Sequence, residues 1–436
     1  MRVLVVGGGG REHALCWALQ RDASAATHDL ELFAAPGNPG TAALATNLPI
    51  AATAIDDLVA AVQHQAIDLT VVGPEAPLAA GLADRLHAIR AHVFGPTAAA
   101  ARLESSKAYA KEVMRRAAVP TAASETFTDA AAARDYIRGR REPLVVKASG
   151  LAAGKGAVVC ATRAEASDVA RTMLSGTALG EAGREIVIED YVEGEELSVL
   201  ALTDGEQVLI LPPAQDHKRL GEGDTGPNTG GMGAYCPVSL ATDALLARVR
   251  RDVFEPVLRE MAAQGALYEG VLYAGLMLQA DGTPCVLEFN CRFGDPETQA
   301  VLPVLPEGWT AHLAAIAARR WTGPPAALAA QRTAVTTVLA ARGYPDAPEQ
   351  GAPIVLPAAA ALGDRVIVFH AGTTRDPQGA LRTAGGRVLS VTGLGGDVAA
   401  AAAASAEACA RIEFPGKTWR RDIAWRETRR ARAGAA

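Results

Sequence analysis

A chain of 436 residues is too long for one core and, at ~100–200 residues per domain, divides into three or four; its formal charge of −6 leaves no electrostatic footprint for nucleic acid. Hydrophobic residues make up 49% and aromatics only 5%, which fits a soluble α/β protein and excludes a disordered or fibrous one. No apolar run approaches the ~18 residues that span a bilayer, Met1-Arg2 leads straight into a buried-type strand with no room for a signal peptide, and six scattered cysteines without a Cys-x-x-Cys pair point to free thiols in a reducing cytoplasm rather than to disulfides or zinc.

Arg2 to Val6 is a β-branched apolar run, followed by Gly7-Gly8-Gly9-Gly10 and a helical pattern from Glu12 to Leu19. Strand, glycine turn and helix open a nucleotide-type βαβ unit, in which bare N–H groups at a helix N-terminus can hold an anion. The dinucleotide fingerprint is incomplete, because Glu12 stands where its third glycine belongs. Further strands are expected at Leu30–Ala34, Leu69–Val72 and His92–Phe94, each ending in Gly, Pro, Asn or Glu, as in Gly73-Pro74-Glu75. One such turn is ordinary loop chemistry; four on one edge of a parallel sheet fit a small anionic ligand. Ser105 or Ser106 then caps a helix to about Ala118 with Lys107 in its first turn, a position that suits a lysine when an anion is near.

From Val119 the pattern is a compact α+β unit: a strand ending near Phe127, a helix after Thr128, and strands Leu144–Lys147 and Ala157–Cys160 around the loop Gly150–Gly156. Thr162 and Glu165 form a capping box for the next helix. The Gly150 loop is not a Walker A loop, since Gly156 follows Lys155 and a strand comes next; a glycine hairpin with a lysine at its tip suits a lid over phosphates, or is a plain hairpin. The strand Glu185–Val192 ends in an extended acidic linker, whose backbone groups can meet an adenine edge and whose Glu196 can take ribose hydroxyls. Gln215-Asp216-His217-Lys218-Arg219 and the polar stretch Gly221–Tyr235, with Asn228, Thr229 and Gly230, read as a long binding loop. A helix over about 241–264 and a strand over 271–278 follow.

The stretch Val286–Gln299 carries the densest chemistry. Read as a strand, it places Glu288, Asn290 and Arg292 on one face and Leu287, Phe289 and Cys291 on the other. Glu288 and Asn290 are hard oxygen donors of the kind magnesium or manganese takes when it also holds phosphate, and Arg292 adds a planar cation; an ordinary surface Glu/Arg pair is the alternative. The preceding strand offers Leu276, Leu278 and Gln279, so no third ligand is assigned. Beyond Pro306, strands are expected at Thr333–Ala341, Val366–His370 and Arg387–Thr392 and helices at Ala311–Arg320 and Asp397–Cys409, with no catalytic grouping; the basic run Arg420 to Arg432 reads as a solvated helix end.

The combination of Lys147, Gly150–Gly156, Glu189–Glu196 and Glu288-Phe289-Asn290 resembles the ATP-grasp fold. With Gln215–Arg219, Gly226–Tyr235 and Arg292–Glu297 it closely resembles the phosphoribosylamine–glycine ligase (glycinamide ribonucleotide synthetase) family, from Val3 to about Arg426. Ala424 departs from the glycine usual there. The resemblance implies an α/β chain with a Rossmann-like N-terminal parallel-sheet domain (1–103), an ATP-grasp domain (104–120 and 191–326) with a lid subdomain (121–190), and a C-terminal α+β domain (327–436). It implies that Lys107, Lys147, Gly154, Lys155, Gly156, Glu189, Val192 and Glu196 bind ATP, and that Glu288 and Asn290 hold Mg2+ or Mn2+. Gly10, Arg11, Glu12, Gly73, Pro74, Glu75, Asp216, Lys218, Asn228, Thr229 and Gly230 would hold the substrates, with Arg292, Lys155 and Asp216 catalytic. The implied activity joins glycine to 5-phosphoribosylamine in a cytoplasmic monomer with small-molecule partners and neither nucleic acid nor membrane. Rival readings are a different ATP-grasp carboxylate–amine ligase, a nucleotide-binding module without turnover, and a nicotinamide oxidoreductase, which the missing third glycine disfavours.

Overall fold

The computed structural model describes residues 1–25, 29–152 and 156–434. Strands β1 (Arg2–Gly7), β2 (Glu31–Pro36), β3 (Thr46–Asn47), β4 (Leu69–Val72) and β5 (Val93–Phe94) form a parallel sheet in the order β3-β2-β1-β4-β5. The β-branched runs of β1 and β4 are buried on both faces. Val3 and Val5 pack on Leu15 and Leu19 of the helix Gly10–Ala25, and Leu4 and Val6 share a core with Leu58 and Leu86. Strand order reverses between β1 and β4, so the glycine turns Gly7–Gly10 and Gly73–Glu75 flank the crevice at the carboxyl edge.

Strands β6 (Ser124–Phe127), β7 (Leu144–Ala148), β8 (Ala157–Cys160) and β9 (Ile186–Asp190) make an antiparallel sheet ordered β6-β9-β7-β8. Leu144, Val146, Ile186 and Ile188 face the helices Ala130–Arg138 and Arg163–Leu174. Period-two alternation therefore turns Lys147 and Glu189 to the opposite face. The Thr162 hydroxyl accepts from the Glu165 N–H, but the Glu165 carboxylate reaches back to the Ala161 N–H, one residue before the usual position.

The chain continues through β10 (Glu195–Thr203), β11 (Val208–Ile210), β12 (Gln215–Asp216), β13 (Arg219–Gly221), β14 (Thr225–Asn228), β15 (Gly233–Cys236), β16 (Gly270–Leu278) and β17 (Pro284–Asn290). After them come β18 (Thr333–Ala340), β19 (Val366–His370), β20 (Thr373–Arg375), β21 (Leu381–Thr383) and β22 (Arg387–Gly395). One antiparallel sheet is β11-β10-β16-β17, and a second, β12-β15-β18-β22-β19, joins strands more than 150 residues apart. The stretch expected to be an irregular binding loop is in fact a β13–β14 hairpin followed by β15. Glycine, proline and asparagine hide these strands from propensity, and backbone pairing outweighs composition. The helix expected over 241–264 is one rod of Asp243–Val249 and Glu255–Ala263 with a π-helical turn at Arg250–Phe254, whose extra residue keeps Val249, Val253, Phe254 and Val257 buried.

The basic C-terminal run is solvated only in part: Arg421, Arg429 and Arg432 are exposed, but Arg420, Arg426 and Arg430 are paired against the rest of the chain. Arg420 is 1% exposed, pairs with Asp224 at 2.9 Å and Asp422 at 2.7 Å, and donates to the Arg219 carbonyl. Arg430 pairs with Glu195 at 2.6 Å and donates to the Tyr235 hydroxyl. Between them Ala424 is fully buried with φ +67°, the left-handed region that glycine enters without strain, and its N–H donates to His217 Nε2. Helix Trp425–Gly434 is thus strapped onto the hairpin.

Asp224 titrates below the ordinary carboxylate range, through His217 first and then Arg420 and Arg426; Asp422 is also lowered, Arg420 outweighing burial. A lowered folded value gives stability that is present above the unfolded value and lost as pH falls through the folded one. Arg420→Met should destabilise the fold by about 3 kcal/mol at neutral pH, and the deficit should shrink below about pH 4. Urea denaturation at both pH values measures it.

Candidate active site

A cleft of about 720 Å³ lies where the lid sheet, the central sheet and the C-terminal strands meet. A second depression of about 640 Å³, along Thr53–Asp57 and Ala80–Arg85, is lined by Asp56, Asp57 and Asp84 with Arg85, which pairs with Asp56 on the exposed surface.

The wall of the cleft is shaped by a defect in β17. Gly275 pairs with Glu288 but Leu276 pairs with Val286, so Leu287 is an extra, bulged residue. Val286 and Phe289 therefore both enter the core, while Leu287 and Glu288 both line the cleft. This corrects the simple alternation that grouped Leu287 with Phe289 and Cys291. The Leu287 carbonyl accepts from Lys147 Nζ at 2.9 Å.

Three lysines act on the carboxylate near the end of this strand. Burial pushes the Glu288 carboxyl up, but Lys218, Lys147 and Lys107 outweigh it and hold the group below its ordinary value, ionised at neutral pH. Lys218 sits 2.7 Å from Glu196 and 4.0 Å from Glu288, and these carboxylates, overcoming burial, raise it well above the usual lysine range. Lys107, in the first turn of the helix Lys107–Arg116, is lowered, burial outweighing the attraction of Glu288. Glu189 is bracketed by Lys147 at 2.8 Å and Lys111 at 3.1 Å. Lys111 was missed by sequence reading, although its spacing of one turn from Lys107 places both on one helix face.

Glu288 and Asn290 fit a hard divalent cation that keeps several water or phosphate oxygens, since no described side chain bonds the Asn290 amide and Glu288 meets only a distant ammonium. Among the described residues no group of three or more His, Cys, Asp or Glu is arranged to hold a metal. Arg292 turns its guanidinium to Glu104 at 2.9 Å and Glu75 at 3.2 Å. Burial raises Glu75, but Arg292 and Arg11 outweigh it and keep the carboxyl below its ordinary value.

On the N-terminal side, Arg11, Pro74 and Glu75 line the cleft. Gly10 and Glu12 are buried behind them. The Glu12 carboxylate accepts from the Gly9 N–H at 2.6 Å and from Arg11 at 2.5 Å. It fills the crevice between β1 and β4: a Cβ at Gly73 would fall 2.1 Å from Glu12 Oε1. The anion seat of a dinucleotide fold is thus taken by the chain's own carboxylate.

Glu196, Val192, Asp216, Lys218, Asn228, Thr229, Gly230 and Gly156 also line the cleft, whereas Gly154 and Lys155 lie outside the described residues. The sequence reading missed Glu104, Tyr273, Asp295 and Glu297, and missed that the C-terminal segment reaches the site. Arg387 donates to the carbonyls of Gly230 and Asp295, and the Gly230 N–H donates to the Tyr344 hydroxyl.

Residues 1–104, 105–298 and 334–426 match, in turn, the N domain, the ATP-grasp (A) domain and the C domain of phosphoribosylglycinamide synthetase. The chain belongs to the phosphoribosylglycinamide synthetase family. It is 46% identical over 434 residues to phosphoribosylamine–glycine ligase of Xanthomonas axonopodis pv. citri, covering 99% of each chain. It is 46% identical over 429 residues to that of Vibrio vulnificus, covering 98% of each. The crystal structure of the Thermotoga maritima phosphoribosylamine–glycine ligase superposes with a TM-score of 0.84 at 35% identity, covering 97% of this chain and 100% of that one. Biotin carboxylase of Campylobacter jejuni shares the fold at a TM-score of 0.72 and 16% identity, covering 96% and 92%.

In this phosphoribosylglycinamide synthetase chain the Glu189 bridge ties the lid to the central domain. Lys111→Met leaves a buried carboxylate with one lysine in place of two and should destabilise the protein by about 3 kcal/mol. Urea denaturation of the variant against wild type measures the difference.

Proposed function

We infer that the chain ligates glycine to 5-phosphoribosylamine with ATP, giving glycinamide ribonucleotide, ADP and phosphate through a glycyl-phosphate intermediate, a step of de novo purine biosynthesis. The observation that carries the reading is the group of Lys107, Lys147 and Lys218 acting on the Glu288 carboxylate, in the one cleft that Asn290 and Lys111 also line beneath the lid. Family membership supports the choice of substrates.

An amide does not form readily from a carboxylate, which is a poor electrophile. A glycine carboxylate oxygen attacks the γ-phosphorus in line, the bond to the β-phosphate bridging oxygen breaks, and ADP leaves. The amine nitrogen of 5-phosphoribosylamine then attacks the acyl carbon, loses a proton, and inorganic phosphate departs. No protein nucleophile is needed, so catalysis is positioning and charge neutralisation. Lys107 and Lys147 are the phosphate-binding cations, Glu189 and the Val192 backbone receive adenine, and Glu196 the ribose. Lys155, between Gly154 and Gly156, closes over the polyphosphate and shields the acyl phosphate from water. Glu288 and Asn290 would hold magnesium or manganese, which supplies charge neutralisation at the phosphate oxygens. Arg11, Glu12, Gly10, the Gly73-Pro74-Glu75 turn, Lys218, Asn228, Thr229 and Gly230 form the substrate side, with Asp216 and Arg292 beside the reacting groups.

The domain division we propose is 1–103, 104–120 with 191–326, 121–190, and 327–436. The protein acts as a cytoplasmic monomer on small molecules; its six buried, unpaired cysteines fit a reducing compartment.

Coupled ADP release with 5-phosphoribosylamine generated in situ should require glycine, amine and divalent metal together, and other amino acids should fail to replace glycine. Glu288→Gln and Lys155→Met should each lower kcat by about 100-fold. ADP release indifferent to glycine would sink the reading.

A further inference from the structure

We propose that Arg430, in the C-terminal helix Trp425–Gly434, is a positioning residue for the nucleotide ribose, acting on Glu196 through a buried hydrogen-bond chain of Tyr235 and Gln215; this rests on the ribose role given to Glu196 above. The chain stands at a break in strand pairing. Ser198 of β10 exchanges two main-chain hydrogen bonds with Ala214, but the next residue, Gln215, turns away to pair with Tyr235 of β15. The Glu196 carbonyl, two residues before Ser198 and on the same edge of β10, accepts instead from the Gln215 side-chain Nε2 at 2.5 Å. That Nε2 also donates to Glu195 Oε1 at 3.1 Å. Gln215 Oε1 accepts from the Tyr235 hydroxyl at 2.5 Å, and the Tyr235 oxygen accepts from Arg430 Nη2 at 2.8 Å. Arg430 Nη1 closes the ring on Glu195 at 2.6 Å. The middle members, Tyr235 and Gln215, are buried.

Every bond in this chain has one permitted direction. A guanidinium only donates, while a carboxylate and a main-chain carbonyl only accept. Arg430 therefore turns the phenol proton toward Gln215, and Gln215 presents its oxygen to Tyr235 and its NH2 to Glu195 and Glu196. Without the guanidinium the phenol is free to rotate and the amide to flip, and a flipped amide sets its oxygen against the Glu196 carbonyl and the Glu195 carboxylate, leaving buried groups unpaired. The main chain at Glu195-Glu196 must then shift, and with it the Glu196 carboxylate, which lies in the cleft against Lys218 at 2.7 Å. For holding the helix in place, the ion pairs of Arg430 with Glu195 and Glu427 are enough. The phenol and the amide add a path from that helix to one main-chain carbonyl at the nucleotide site.

The test is calorimetric titration of the full chain, as wild type, Arg430→Met and Tyr235→Phe, with magnesium ADP and with magnesium dideoxy-ADP, which lacks both ribose hydroxyls. Tyr235→Phe keeps the ring in the core and removes only the hydroxyl, so it carries the test should Arg430→Met loosen the C-terminal helix. The Kd for ADP should rise about tenfold in both variants, while the Kd for dideoxy-ADP stays within about twofold of wild type. In the ADP-release assay the ATP KM should rise in step, with the glycine KM unchanged and kcat within about twofold. Equal weakening of both nucleotides would mark a structural role alone and overturn the proposal, as would an unchanged Kd for ADP. A wild type that binds the two nucleotides equally would overturn it through the ribose role of Glu196. A wild type that prefers ADP to its dideoxy analogue yet turns over no ATP with glycine and the amine would instead overturn the functional reading, and the titrations would still decide the relay.

Discussion

The Glu189 carboxylate, held between Lys111 and Lys147, is the contact on which the cleft depends. One lysine comes from the helix Lys107–Arg116 and the other from the lid strand β7, so a single buried anion joins the two. Removing either partner leaves a charge in a medium that solvates it poorly, which makes the bridge strong against loss even where its net contribution is small. The same constraint runs outward. Lys147 also takes the Leu287 carbonyl, and that carbonyl is presented by the bulge in β17, so the bulge, the lid and the Glu288 carboxylate are set by one arrangement. Charges fixed in this way need little reorganisation when a polyphosphate enters, which is the condition for electrostatic stabilisation of phosphoryl transfer.

What could be read from the sequence followed local physics. The β-branched runs of β1 and β4 were legible because burial on both faces demands that composition, and the N-caps at Ser106 and Thr162 because an orphan N–H needs an acceptor. The hairpin β13–β14 was not legible, since its residues favour turns and only tertiary pairing makes them strands. The bulge at Leu287 leaves no local signature: one inserted residue reverses which side chains face the cleft, and the alternation rule has no means of locating it. Arg420 and Arg430 looked like part of a solvated run because their carboxylate partners, Asp224 and Glu195, lie 196 and 235 residues earlier in the chain. Site residues such as Glu104 and Arg387 escaped for the same reason, being brought to the cleft by topology alone.

The sheet β12-β15-β18-β22-β19 explains how distant segments reach one site. Asp216 ends its edge strand, β12, and the Gly230 turn precedes its neighbour β15, so two elements of the central segment are hydrogen-bonded into the C-terminal fold. Arg387, at the start of β22, can then reach the Gly230 and Asp295 carbonyls together. The C-terminal segment is therefore part of the cleft wall, and the clamp of Arg420 and Arg430 secures the same hairpin from outside.

The N-terminal sheet carries the strand order of a dinucleotide-binding fold, and Glu12 shows why order alone does not decide the ligand. A third glycine in the first turn would leave the helix N-terminus open for a pyrophosphate; here a glutamate reaches back, accepts the Gly9 N–H and occupies the crevice that Gly73 leaves clear. With the helix end already neutralised, Arg11 is free to point outward, donating to the Phe293 carbonyl beside Arg292 and Glu75. The glycine turns thus bring the N-terminal sheet close to the central strand that bears Glu288, and the parallel-sheet crevice becomes a buttress for the cleft.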